Sequence, residues 1–220
     1  MLLPVDDDGD LTRWVTAWAQ RYPAQYDKVL APLHGAAALD RSALLMVIDW
    51  KFGNMAHRRA RARAGLAQER DQAILDITAA ARACVDDGAA MSVIQAISRV
   101  GPALGSALLM TMDPLRWTVL DGRAVKSIRA IGHNDVPPGS QDRSTWLPYL
   151  FACRAVSDRT GKSLRDVDRA LYQANGDPDL PRDETASATG RDQLPEVTDV
   201  DEPRRTQRAE LTNEGSRPGR

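Results

Sequence analysis

Along most of this chain, apolar residues recur three and four apart in segments that an Asp or Ser opens and a Gly or Pro closes, the pattern of capped amphipathic helices. Asp10 precedes Leu11, Trp14, Val15 and Trp18, and Pro23 ends that segment; a second helix is expected over 24–33, before Gly35. Asp40 opens RSALLMVIDWKFG, and Gly53-Asn54 closes it as a C-cap. DQAILDITAAARACVDDG places Ile74, Ile77, Ala81, Cys84 and Val85 on one face up to Gly88, and a further helix follows over 89–98. Beyond Asp121, GRAVKSIRAI aligns Ala124, Val125, Ile128 and Ile131, and a Gly/Pro/Asn-rich loop covers 132–142. Ser144 is expected to cap STWLPYLFACRAVSDRTG, where Pro148 is tolerable only near the first turn. Ser163 and Asp166 form a capping box ahead of Val167, Ala170 and Leu171, and that helix should end near Asn175-Gly176.

Composition agrees with helix. Apolar residues make up 43% of the chain but aromatics only 5%, and Ala, Leu and Val dominate, which disfavours sheet. The expected fold is all-α: a compact multi-helix domain over 1–176, then a disordered charged tail over 177–220, where apolar periodicity gives way to Pro, Gly, Asp and Arg. No fixed-period repeat suggests a solenoid.

Several function classes drop out. The two cysteines, Cys84 and Cys153, cannot supply the thiolates of a structural zinc site or an iron–sulfur cluster. His34, His57 and His133 lack metal-ligand spacing, and no phosphate loop or nucleophile elbow is present. No metal or other cofactor is expected. MLLPVDDDGD lacks a basic and then apolar leader, and no apolar run reaches the roughly 18 residues of a membrane span, so the expectation is a cytoplasmic protein with no membrane partner.

Charge is unevenly spread. Residues 177–220 hold 11 acids and 7 bases, which leaves 1–176 at +3 within an overall −1. KFGNMAHRRARARAGLAQER (51–70) carries Lys51, Arg58, Arg59, Arg61, Arg63 and Arg70 against Glu69 alone. Such a stretch is either a phosphate-binding surface or a solvated helix face.

ISRVGPALGSALLMTMDPLRWTVLD (97–121) joins a tight turn to a lone carboxylate. Gly101 is expected to take a positive φ, and Pro102 suits the first position of the next helix, whose small residues Ala103, Gly105, Ser106 and Ala107 allow close approach to the preceding one. First-turn N–H groups of that helix can receive a phosphate without reading bases. RVGPALGSALL resembles the helix-hairpin-helix of the DNA glycosylase superfamily, L-P-G-V-G-x-K-T-A, and TVLDGRAV then falls on its V-D-x-H-V without a gap, with Asp121 at the catalytic acid. WLPYLFACRAVSDRTGKSLRDVDRALYQAN is similar to the closing helices of bacterial proteins that contain this hairpin.

The resemblance implies a double-stranded DNA partner, gripped by Arg99, Val100, Gly101, Pro102 and Ala103 of the hairpin, with Arg123 and Lys126 after the acid and Lys51, Arg58, Arg59, Arg61 and Arg63 alongside. It further implies a DNA-repair hydrolase that cleaves an N-glycosidic bond, where the Asp121 carboxylate would stabilise the developing sugar cation and orient water. Three positions depart from the pattern. Ala103 replaces the lysine of the bifunctional enzymes, so the route implied is monofunctional; Arg99 replaces the first hairpin glycine; Arg123 replaces the histidine. A flipped base would need an aromatic or apolar pocket, for which Trp50, Trp117, Trp146 and Tyr149 are candidates when they are not core. Two alternatives stay open. The chain could be a non-catalytic DNA-binding or accessory protein, with Asp121 merely an N-cap worth about 1 kcal/mol, or a helical protein–protein interaction module.

Overall fold

Ten α-helices and one short 3-10 segment make up the regular structure of the described residues, 7–139 and 142–180 of the computed structural model, with no strand among them. The all-α expectation holds. The chain divides into a unit of Met1–Arg182 and a unit of Asp183–Arg220, and every described residue belongs to the first. Residues 181–220, most of the expected tail, lie outside the described residues.

Caps set most of the helix starts. Helix α1 (Asp8–Gln20) is opened by Asp7, whose Oδ1 accepts from the Asp10 N–H at 2.6 Å, so Asp10 sits inside the first turn and is not the cap. The second expected helix is broken in two: α2 (Ala24–Lys28) is followed by a 3-10 turn (Ala31–Leu33), because Pro32 has no N–H to donate and restricts the residue before it. Asp40 caps α3 (Arg41–Phe52) by accepting from Ala43 N–H at 2.8 Å, and Gly53 closes it at φ +35. Helix α4 (Ala56–Leu66) carries the basic stretch; the Arg41 guanidinium reaches from the start of α3 to the Leu66 and Glu69 carbonyls, which fixes α3 and α4 as an antiparallel pair.

Helix α5 (Asp71–Ala83) stops five residues before Gly88, and α6 (Asp87–Ile94) starts on the Asp86 cap with Gly88 inside it. The expected apolar face does not run through the break: Ile74 and Ala81 are buried, whereas Val85 is 95% exposed. Helix α7 (Pro102–Met112) is the centre of the fold, since every residue from Ala103 to Met112 is buried. Helices α3, α5, α6 and α9 pack around it. A helix apolar on all sides can only be interior.

Helix α8 (Gly122–Ala130) follows, and α9 (Arg143–Thr160) begins on Asp142, one position before the helix proper and two before the expected Ser144. Pro148 lies in the second turn of α9, deeper than its first-turn preference. Helix α10 (Leu164–Ala174) uses the expected Ser163 cap, with Asn175 in the left-handed region as its close. Leu164, Val167, Ala170, Leu171 and Ala174 bury its inner face, and α10 packs on α1, α8 and α9. Trp117, Trp146 and Tyr149 are fully buried in the core and cannot line a base pocket; only Trp50, of the four aromatic candidates, reaches a cavity.

Candidate functional site

Asp121 holds two places at once. Its Oδ1 accepts from the Arg123 N–H at 2.9 Å, which makes it the N-cap of α8, and the same side chain, 25% exposed, lines a cleft of about 810 Å3. The backbone that leads to it is pinned from below. Ser106, on the buried side of α7, accepts the Leu120 N–H at 2.8 Å while it donates to the Ala103 carbonyl at 3.0 Å. One turn upstream, the Trp117 indole N–H donates to Asp87 at 2.9 Å. The helix that leaves the hairpin is thus the helix that positions the acid, which is why the turn and the carboxylate lie so close in sequence.

The second contribution comes from α3. Lys51 follows the buried Val47 by four residues and Ile48 by three, so its stem lies along the core face at the last turn of the helix. Its ammonium donates to Asp121 Oδ2 at 3.1 Å and to the Leu120 carbonyl at 3.2 Å, with the side chain only 7% exposed. Burial disfavours the charged form of Asp121. The Lys51 ammonium and the Arg123 N–H outweigh it and hold the carboxyl below the ordinary aspartate range.

Aromatic rings and guanidinium groups complete the walls. Tyr22 and Tyr26 enter from the α1–α2 turn and α2, Trp50 from α3, and Tyr172 from α10. Arg123 stands 5.1 Å over the Tyr172 ring, and Arg165 lies 5.3 Å from the Tyr22 ring and 5.7 Å from the Trp50 ring. Arg165 is clamped between Asp27 and Asp168; Asp168 is 3% exposed, and its Oδ1 accepts from the Tyr149 hydroxyl at 3.4 Å. Burial drives the Asp168 carboxyl above the ordinary range despite Arg165, in the direction opposite to Asp121. One wall of the cleft therefore carries a carboxylate held ionised and another a carboxyl pushed towards its neutral form.

The hairpin does not line this cleft. Its positive φ falls at Arg99 (+64), not at Gly101, which is extended at φ −88, ψ 177 and serves as the N-cap of α7. Arg99 is the position that the resemblance sets on the first hairpin glycine. Arg99 and Gly101 are exposed and Pro102 is half-buried, but Val100 and Ala103 are buried, and the Val100 N–H already donates to the Ile97 carbonyl at 3.1 Å, so of those two only Ala103 can offer an anion a backbone donor. The first turn of α7 has no side-chain cap, which leaves its amides available, whereas the Ser98 N–H is already taken by Glu69 at 2.8 Å. Gly105 lets α6 and α7 meet: a Cβ there would lie 3.0 Å from Met91 and 3.1 Å from Ile94.

Helix α4 links the two places. It starts after Met55 on the cleft rim, and Gly65 near its end abuts the hairpin so closely that a Cβ would stand 2.4 Å from the Ser98 carbonyl oxygen. Its eleven residues measure about 16 Å at the helical rise. The basic candidates on it are not alike. Arg59 donates to the Gly53 carbonyl at 2.8 Å and Arg63 pairs with Asp49, whereas the side chains of Arg58, Arg61 and Arg99 have no hydrogen-bond or ion-pair partner among the described residues. Lys51 belongs to the cleft and not to this face, and Lys126 is exposed on α8, near Gly176 and away from the cleft.

Cleft residues that escaped the sequence reading include Tyr22, Tyr26, Arg165, Asp168 and Tyr172. Only Asp168 left a signal, an acid at apolar-face spacing between Leu164 and Leu171. No group of His, Cys, Asp or Glu suited to a metal occurs among the described residues, and no helix there is long and apolar enough to cross a membrane. No family model matches the chain, nor does any curated protein or solved structure.

Proposed function

We propose that this chain binds double-stranded DNA through its hairpin and α4 and excises a base in the cleft by hydrolysis of the N-glycosidic bond, with Asp121 as the acid. The observation that carries the reading is that Asp121 is a capping residue which nevertheless opens into a cleft with aromatic walls. A carboxylate needed only for capping could be covered; this one stays available and ionised, as stabilisation of a sugar cation demands. Trp50, Tyr22 and Tyr172 offer stacking faces for an extruded base, and the exposed Arg123 offers donors for its edge. The positive φ of Arg99, where a hairpin of this kind uses glycine, and the open first turn of α7 support the grip. The hairpin itself holds no amine, so the excision step is hydrolytic.

Asp121→Asn tests the acid, since asparagine keeps the shape and can still cap α8. Base release from duplexes with damaged or modified bases, revealed by alkali, should fall at least about a hundredfold, the scale for loss of a key electrostatic stabiliser. Duplex affinity should hold or rise slightly. Equal excision by the variant would remove Asp121 from the chemistry. The non-catalytic reading draws on the cap bond to Arg123, which accounts for the acid without a reaction; absence of release across a broad panel would favour it.

A further inference from the structure

Among the described residues, six charged side chains line the cleft, and five of them are already committed. Lys51 pairs with Asp121, Arg165 with Asp168, and Asp49 with Arg63 of α4. Arg123 is the sixth. Its guanidinium makes no hydrogen bond and no ion pair among the described residues; only its backbone N–H is spent, on Asp121, and the side chain rests 5.1 Å over the Tyr172 ring. Once the pairs cancel, the cleft is left with one unspent cation. The walls around that cation are flat or apolar, with Tyr172 beneath it and Trp50, Tyr26 and Met46 in the same cleft. Aromatic walls favour a planar ring, and an unpaired guanidinium favours an anion whose two oxygens its fork can take together. An unmodified nucleobase supplies the ring but no charge. We infer that Arg123 is a specificity-determining residue and that the base preferred by this cleft carries a carboxylate on its ring edge, an inference that rests on the proposed reading of the cleft as a base pocket.

A carboxylate conjugated to such a ring lies near its plane, so one ligand can meet both features, the ring against Trp50 and the carboxylate against the Arg123 fork. Repulsion from Asp121 is held down by Lys51, whose ammonium stands 3.1 Å from Oδ2. Duplex phosphates are the other source of negative charge. They have exposed, unpaired cations of their own outside the cleft, at Arg61 and Arg99, whereas Arg123 lines it. Because Arg123 is exposed, water competes for its donors, and the preference should be about tenfold, the lower end for hydrogen bonds to a charged group.

Free bases test this without DNA and without any need for base release. In calorimetric titrations of the full chain at neutral pH and low salt, 5-carboxyuracil and 5-carboxycytosine should bind about tenfold more tightly than uracil and cytosine. Arg123→Gln removes the charge but keeps the backbone N–H that Asp121 accepts, so α8 retains its cap while the preference should vanish. Trp50→Leu should weaken all four bases alike and leave the preference in place. Equal binding of charged and uncharged bases by the wild type overturns the inference, as does a preference that survives Arg123→Gln, or no binding of either carboxylated base at millimolar concentration. Deoxyuridine and its 5′-monophosphate are compared in the same way. If the phosphate gains as much affinity as the carboxylate and loses it in Arg123→Gln, the cation serves the nucleotide backbone and the ring-edge assignment falls. Base release from duplexes that carry 5-carboxycytosine or uncharged modified bases is assayed in parallel. A carboxylate preference without release from any duplex keeps the ring site and removes the excision; release of uncharged bases without that preference keeps the excision and removes Arg123 as its selector.

Discussion

The cleft wall and the α4–hairpin face are both rich in cations, yet they treat charge in opposite ways. In the cleft, Arg165 is 12% exposed between Asp27 and Asp168, and Lys51 is 7% exposed against Asp121. On α4 and the hairpin, Arg61 and Arg99 stand exposed with no partner among the described residues, and the one ion pair that α4 makes with them, Arg63 to Asp49, is about half exposed on both sides. Buried charges with assigned partners fix geometry, because moving either partner leaves an unpaired charge in a poor solvent. Exposed, unpaired guanidinium groups fix nothing and remain available to a polyanion. The difference separates a cleft whose buried charged groups are fixed from a face whose cations are free to meet a polyanion.

The largest effect should follow from breaking the buried side of that contrast. Arg165→Met leaves Asp27 and Asp168 without the cation between them, at a cost of about 3–5 kcal/mol, whereas Arg63→Met on the outer face should cost under about 1 kcal/mol. Urea unfolding of both variants measures the gap. Equal losses would mean that the two regions do not differ in how they hold charge.

Gly65 joins the two regions, and it gives the next effect in size. The Ser98 carbonyl oxygen that a Cβ would meet at 2.4 Å is backbone and cannot swing aside, so Gly65→Ala must push α4 off the hairpin. Overpacking of this kind costs about 1–3 kcal/mol. If the face formed by α4 and the hairpin acts as one grip, the same variant should bind duplex DNA more weakly while Asp121 and Lys51, a helix length away, keep their pairing. Unchanged affinity in a variant of lowered melting temperature would show that the hairpin and α4 do not act together.

Local interactions were the legible part of this chain. Asp40 and Ser163 bond to amides three residues on, so sequence spacing alone locates them; Asp7 took the cap expected of Asp10 by the same rule, shifted by one turn. The break between α5 and α6 was hidden because Cys84 and Val85 continue an apolar pattern, although Val85 points to solvent. The left-handed residue of the hairpin was sought at Gly101, since glycine adopts that region most readily, but the turn geometry imposes it on Arg99. Within the cleft, Asp121 could be marked from its place before a helix and Trp50 from its ring. Lys51 was visible only as one base among six, because its partner lies seventy residues away. Arg165, Tyr22 and Tyr172 look like ordinary surface residues until α10 and α1 are packed together, and no one-dimensional spacing encodes that contact.

The smallest effect separates the cations within the outer face itself. Each guanidinium that meets a DNA phosphate displaces condensed counterions, so its removal should lower the slope of log affinity against log salt by about 0.9 for a duplex. Arg61 has no partner among the described residues to release, and its removal costs these nothing beyond side-chain packing on an exposed helix. Arg63 must first leave Asp49 to serve a phosphate, and a carboxylate left behind would repel the backbone it approached. Arg61→Ala should therefore reduce the salt slope by nearly one unit, and Arg63→Ala by distinctly less, with little dependence on the duplex sequence in either case. Fluorescence anisotropy across a salt series reads both slopes. Should Arg63→Ala prove the more damaging, the pair with Asp49 does not persist at the interface, and the paired and unpaired cations of α4 form a single phosphate-binding row. A slope indifferent to both changes would place the phosphate contacts elsewhere and leave α4 as a solvated helix face.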